Sequence, residues 1–390
     1  MRTSPRLLAA ALLTVLSGAA HADIMIDVIG GSEISLQGLF QGDVNYFNND
    51  VVDLNGADTN DGKDQEFELR RAEVILIGKG VTFDWQAGYD AKANKFLDNF
   101  VRYKMGTSFL QAGQYKQFNS LEELSSTRHN DFISKAMATN LFGVARRVGV
   151  AYGREEASWG YSLGWFGREL TRNLAHGAGW GARGYYAPIN ETGRFLHLGI
   201  SALDYDTDAD TLRLRVRPDA DFATARLVDT GNLLNADRQR TYGAEAAYVD
   251  GPFKVQGEYL HSQVDRYATR FATQPGDTFS GDSWYLYGLW NITGETWTYK
   301  AGLPVTGYPD NPGAGMWQLG LRYDSTNLND NPVLGGEEQN LTLGVNWYWR
   351  ANFKFMLNYV KVSSERFSSS LRSNVSDDPS IVEARAQFYW

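Results

Sequence analysis

The chain of 390 residues contains no cysteine. That removes disulfide cross-links, thiolate metal sites and thiol nucleophiles together. Beyond the first segment no apolar run approaches the 18 residues of a membrane helix, and mean hydropathy is -0.38. A helical membrane span is therefore not expected. A β-barrel stays open, because barrel strands alternate and hardly register in hydropathy. The five histidines, His21, His129, His176, His197 and His261, lack metal-ligand spacing, so no metal or other cofactor is expected. Nucleophile-elbow and phosphate-loop motifs are missing as well. A net charge of -9 argues against nucleic acid as a partner. Lysine is scarce and arginine carries most of the positive charge. What is abundant is aromatic residues and glycine: 11 Trp, 21 Tyr, 20 Phe and 40 Gly against 10 Pro. Aromatics suit strands and membrane interfaces, and glycine suits tight packing between strands.

Residues 1–22 read as a secretory leader. Arg2 and Arg6 form its positive region, Leu7 to Leu16 its apolar core, and Ala20-His21-Ala22 a small-residue cleavage site. The mature chain is expected over 23–390 as one domain. Within it, alternating segments recur. Ile34, Leu36, Gly38, Phe40, Gly42, Val44 and Tyr46 share one parity, and Ser35, Gln37, Gln41, Asp43 and Asn45 share the other. At the far end Val382, Ala384, Ala386, Phe388 and Trp390 alternate with Glu383, Arg385, Gln387 and Tyr389. One face is apolar and the other polar, as in a strand with lipid on one side and a wet lumen on the other. A last strand ending on an aromatic residue is the expected closure of an outer-membrane barrel. Short turns on one side and long polar loops (47–65, 116–146, 203–239, 262–281, 362–381) on the other predict an all-β, transmembrane antiparallel β-barrel of about sixteen strands.

Three constellations carry chemistry. In Glu66 to Ile77 the apolar parity slips by one residue between Arg70 and Arg71. A β-bulge there would turn both guanidiniums inward, since an arginine facing lipid at mid-depth costs about 2–4 kcal/mol. The alternative is a pair of solvated charges at no special place. Next, residues 117–135 are too long for a turn. Folded into the barrel, this segment would offer Ser125, Ser126, Thr127, Arg128 and Lys135 to a solute, and hydroxyls beside cations suit a desolvated oxyanion. An ordinary external loop is the alternative. Finally, Arg213, Arg215 and Arg217 alternate with Leu214 and Val216, which in extended chain places three guanidiniums on one face about 7 Å apart; Arg226, Arg238 and Arg240 extend the set. Solvated loop charges are the alternative here.

Glu68-Leu-Arg-Arg-Ala72, Leu121 to Arg128, Arg146-Arg-Val-Gly-Val150, Arg213 to Pro218, Tyr242 to Tyr248, Leu343 to Tyr348 and Phe355 to Tyr359 together resemble the phosphate-selective porin family of Gram-negative outer membranes. The resemblance implies a homotrimer in outer-membrane lipid and an inward-folded third loop. It also implies an arginine-lined path, with Arg70 and Arg71 at the constriction, Ser125, Ser126 and Arg128 on the loop, and Arg213, Arg215 and Arg217 as an outer ladder. Two features depart from the pattern. Phe132-Ile-Ser-Lys135 carries lysine where the family often has arginine, and Glu73 shares a face with Arg71, where it either neutralises or positions that side chain. The expectation is a non-enzymatic, anion-selective channel for phosphate, pyrophosphate or polyphosphate. A weakly selective porin is the alternative within transport. A barrel enzyme is the rival from another class, and it would need His197 or His261 beside a rim Ser or Asp.

Overall fold

A computed structural model describes residues 24–29, 32–56, 64–171, 177–267 and 278–390; the leader expected over 1–22 lies outside these. Sixteen antiparallel strands form the wall: β1 (Ser32–Asn48), β2 (Gln65–Lys79), β3 (Phe83–Asp90), β4 (Lys95–Met105), β5 (Ser108–Lys116), β6 (Arg146–Glu155), β7 (Trp159–Phe166) and β8 (Gly179–Glu191). The second half continues with β9 (Arg194–Asp206), β10 (Ala236–Asp250), β11 (Phe253–Arg266), β12 (Phe279–Asn291), β13 (Met316–Asp330), β14 (Val333–Trp349), β15 (Phe353–Ser368) and β16 (Ser380–Tyr389). β16 pairs back onto β1 from Leu39–Tyr389 to Asn48–Ser380, so the sheet has closed on itself. Closure leaves every stave with two hydrogen-bonded neighbours, which is what an apolar surround demands. Residues 24–29 add a short strand beside β1.

The alternation decides what each face meets. On β14, Leu341 and Leu343 are exposed on the outside while Asn340, Thr342 and Asn346 are buried toward the lumen. Rings gather at the short-turn end. Trp317 stacks on Trp347, Trp347 on Phe355, and Phe353 meets Phe388, which reaches Trp390 and then Phe40. Such girdles sit at the membrane interface.

Two loop expectations are corrected. Residues 362–381 are mostly strand: β15 runs to Ser368 and pairs with Ser373–Asp377, because polar side chains still allow a backbone ladder beyond the membrane. The short-turn side also holds one long connection, 292–315. Its hairpin, Trp297–Lys300 with Leu303–Thr306, folds into the barrel. Trp297 is fully buried, Tyr299 Oη lies 2.8 Å from His197 Nδ1, and Arg183 donates to the Gly302 carbonyl at 2.9 Å. Gly302 has φ +74, and a Cβ there would lie 2.7 Å from the Tyr185 ring; both facts require glycine.

Candidate functional site

The segment between β5 and β6, residues 117–145, folds inward, as the resemblance implies. Its backbone carbonyls explain why it stays there. Those of Arg128, Asn130, Asp131, Ile133 and Ser134 accept from Gln387, Lys354, Asn346, Arg385 and Arg322, at 2.5 to 2.9 Å. All five donors stand on the lumen face of β13 to β16. Carbonyls that water would otherwise solvate are satisfied by the wall. Apolar contacts add to this. Phe132, Met137, Ala138 and Phe142 join a core with the inward-facing Leu260, Val264 and Phe279. Phe132 lies over Gly320 and Gly344, a directly opposed pair on β13 and β14.

A cavity of about 420 Å³ lies on the hairpin side of the loop. Its lining brings Ser125, Ser126, Thr127, Arg128 and His129 together with Lys116, Arg146, Arg102 and Lys254. Lys116 Nζ donates to the carbonyls of Glu123 and Ser125, each at 2.7 Å. Arg146 pairs with Asp98 at 2.7 Å, and Lys254 with Asp131 at 2.6 Å. Lys135 lines neither this cavity nor the next. It is bound to Glu123. Burial alone would raise the Glu123 carboxyl, but Lys135 and Lys116 outweigh it and hold it at about 2.

A smaller cavity of about 130 Å³ lies on the long-loop side, lined by Arg215, Arg217, Arg226, Asp221, Ser134 and Asn140. Arg217 Nε donates to the Ala223 carbonyl at 2.7 Å, and Arg226 donates to the carbonyls of Ala223, Thr224 and Ala225. Burial, with Arg217 and Arg215 alongside, pushes Arg226 down to about 10. Guanidiniums crowded in this way favour any anion placed among them.

Between the two lies the bulge. Arg71 is opposite Gln41 and Leu69 opposite Gly42, so Arg70 is the extra residue. Phe67 and Leu69 are exposed on the outer face before it and Val74 after it. Arg70 Nε lies 2.8 Å from Asp221 Oδ2, and Arg71 Nη1 lies 3.1 Å from Glu73 Oε1. Glu73 thus reaches Arg71 and lines the larger cavity.

The expected ladder is split. Leu214 and Val216 are buried as its anchors, and Arg215–Val216 pairs with Val228–Asp229. Arg213, however, is drawn to Asp229, with Nε at 2.7 Å from Oδ1, and is absent from the cavity lining. Arg238 is held by Asp204 and Arg240 by Asp265, each at 2.7 Å. Sequence reasoning missed Arg322, Lys354, Lys254 and Asp221, and it noted Arg385 only as polar. Each of the four wall cations sits at an inward position of a strand otherwise flanked by apolar residues, such as Arg322 between Leu321 and Tyr323. That parity was the available signal.

His197 and His261 have partners of another kind, while His21 and His176 lie outside the described residues. His197 is fully buried between Tyr299 and Glu245. His261 does meet an acid, Asp282, at 2.8 Å, but on the outer face, where Tyr259 also donates to Asp282. Ser262 faces the opposite way, toward Gln239 and Thr241. Among the described residues no group of histidine and acids is arranged to hold a metal.

A family model described as phosphate-selective porin O and P matches residues 40–390. An uncharacterized protein of Caulobacter vibrioides is 31% identical over 305 residues, 73% of this chain and 59% of that protein. Porin O of Pseudomonas aeruginosa is 26% identical over 236 residues, 53% of this chain and 52% of that protein. The chain therefore spans little more than half the length of these relatives. Among solved structures, OmpT, an outer membrane protein of Vibrio cholerae, superposes with a TM-score of 0.61 at 10% identity, covering 94% of this chain and 99% of that one. An anion-selective porin from Comamonas acidovorans gives 0.57 at 12% identity, covering 92% and 100%. These two likenesses concern the fold. With the family model matched across the closed sixteen-strand barrel, the chain belongs to the phosphate-selective porin O and P family and is an outer-membrane β-barrel porin.

Proposed function

We propose that this porin passes small anions passively, with phosphate-type oxyanions, including pyrophosphate and short polyphosphate, as the favoured solutes. The observation that carries the reading is the smaller cavity, where Arg215, Arg217 and Arg226 face a single carboxylate, Asp221. An oxyanion entering there exchanges water for forked N–H donors, passes Arg70 and Arg71, and reaches the hydroxyls and cations around Ser125, Ser126 and Arg128. Binding at each station must stay weak enough to release the solute. The phosphate-selective description of the family and the anion-selective porin from Comamonas acidovorans that shares this fold support the reading. The test is a titration of chloride current with phosphate and then pyrophosphate on purified protein in a planar bilayer. Saturable block at millimolar or lower concentration supports the reading, and current that falls only as the bulk solution does would remove it.

A weakly selective porin is the second reading. It is favoured by the matching acids, since Arg70, Arg71 and Arg385 each have a carboxylate within 3.1 Å. For assembly we propose a homotrimer. Strands β3 to β7 have only 8 to 11 residues, against 13 to 17 in β8 to β15, so one side of the wall is low. A low wall suits burial against a second copy. Cross-linking in detergent tests it, with a three-copy product expected and a single-copy band contradicting it.

A further inference from the structure

The outer cavity holds one negative group, and its position is unusual for a loop anchor. Asp221 lies in the long connection between β9 and β10. Its Oδ2 is 2.8 Å from Arg70 Nε and 3.8 Å from Arg385 Nη2. The same side chain lines the cavity that Arg215, Arg217 and Arg226 share. It therefore stands where the outer arginines end and the wall arginines begin.

We propose that Asp221 sets the specificity of this path as a tethered competitor: its carboxylate occupies the seat a solute oxyanion takes at Arg70, with Arg385 held by Asp43 alongside, and the solute must displace it. This rests on the anion-channel reading above. A carboxylate and a phosphate oxygen use the same guanidinium donors in the same way, so the two exclude each other. A solute of one weakly directed charge, such as chloride, competes poorly with a held carboxylate. A multiply charged oxyanion, which offers more charge and more acceptors, competes well. The carboxylate thus acts as a threshold that passes multiply charged oxyanions over chloride.

Neighbouring residues separate this role from anchoring. Asp219, two residues earlier, also reaches a wall arginine, with Oδ2 3.0 Å from Arg322 Nη2, but its side chain is 0% exposed. The Asp221 side chain is 21% exposed and so open to a solute. The segment is also pinned by apolar contacts, with Ala220, Ala223 and Leu227 packed against Phe47, Val360, Val362 and Ile381. Asp219 and these contacts hold the loop, which leaves Asp221 able to yield. Burial alone would raise its carboxyl, but Arg70, Arg385 and Arg71 outweigh that and keep it ionised throughout the neutral range.

The test compares wild type with Asp221→Asn and Asp221→Glu as full chains in planar bilayers, titrating chloride current with inorganic phosphate. The competitor account expects Asp221→Asn to lower the half-blocking phosphate concentration by about tenfold, as removal of one close charge contact does. It expects chloride current before phosphate to rise and Asp221→Glu to stay near wild type. Unchanged or weaker block in Asp221→Asn overturns it, because a carboxylate that merely anchors the loop would on removal widen the path and loosen the site. If Asp221→Asn fails to assemble, Asp221→Ser carries the same test. Should wild type show no block while Asp221→Asn acquires it, the competitor stands and the proposed natural solute falls. If neither shows block, both fall.

Discussion

Arg70 and Arg71 are neighbours in sequence with different partners. One faces a loop carboxylate and the other a carboxylate on its own strand. The parity slip that turned both inward was legible, because Phe67, Leu69, Ala72 and Val74 leave no other way to keep lipid-facing positions apolar. Glu73 as a partner of Arg71 was legible as well, from the face they share; Asp221 as the partner of Arg70 was not, since it is 151 residues away in a loop whose path no periodicity reports. Replacing both with alanine is expected to weaken phosphate block at least tenfold and to lower anion preference, measured by current titration; an unchanged block would show that the bulge is structural only. Arg128 and Lys135 separate in the same assay. Arg128 lines the larger cavity, so Arg128→Gln should weaken block, whereas Lys135→Gln leaves Glu123 buried beside Lys116 and should chiefly increase current noise as the loop loosens. His129 adds a pH dependence. Burial, with Lys354 and Arg128 nearby, lowers its imidazole to about 4 from an ordinary 6.5. Between those values the unfolded segment binds more protons than the folded one, so stability of the loop falls as pH falls from about 6.5 toward 4. Hydrogen exchange of amides 127–131 should quicken at pH 5 relative to pH 7, after correction for intrinsic rates, and His129→Gln should remove the difference.

At the scale of elements, the inward-folded loop is held by the wall as well as by its own bonds, such as Ala136 N–H to Glu122 and the Asn119 amide to the Phe142 carbonyl. Sequence indicated a segment too long for a turn but could not say what would accept it, because five of its anchors are bonds to its own backbone carbonyls. The glycine pair beneath Phe132 is a second anchor. A Cβ at Gly320 would lie 2.9 Å from the ring, and one at Gly344 would lie 3.1 Å from it. Gly344→Val is expected to push Phe132 off the wall at a cost of about 1–3 kcal/mol, the usual scale of overpacking. Single-channel conductance should rise and become noisier; an unaltered conductance would show that the ring does not position the loop. The hairpin at 297–306 was missed because short turns were expected on that side. Its first strand, with Trp297 and Tyr299 alternating with Thr298 and Lys300, has the same period as a wall strand, so that alternation does not mark it as an insertion.

At the scale of the whole molecule, closure was the most legible feature. Alternation over sixteen segments leaves an outer apolar band and an inner polar one, and only a closed sheet satisfies every backbone group in lipid. Net charge was the least useful quantity, since a chain of charge -9 nonetheless gathers Arg215, Arg217 and Arg226 around one cavity. What passes depends on that local arrangement rather than on the total. The most direct test of the central claim is the reversal potential of the wild-type protein in a planar bilayer under a KCl gradient. The account predicts a potential of the sign set by chloride, diminished when Arg215, Arg217 and Arg226 are replaced together by glutamine. A potential of the sign set by potassium would mean that the lumen acids govern permeation, and would contradict the arginine path as the selecting feature.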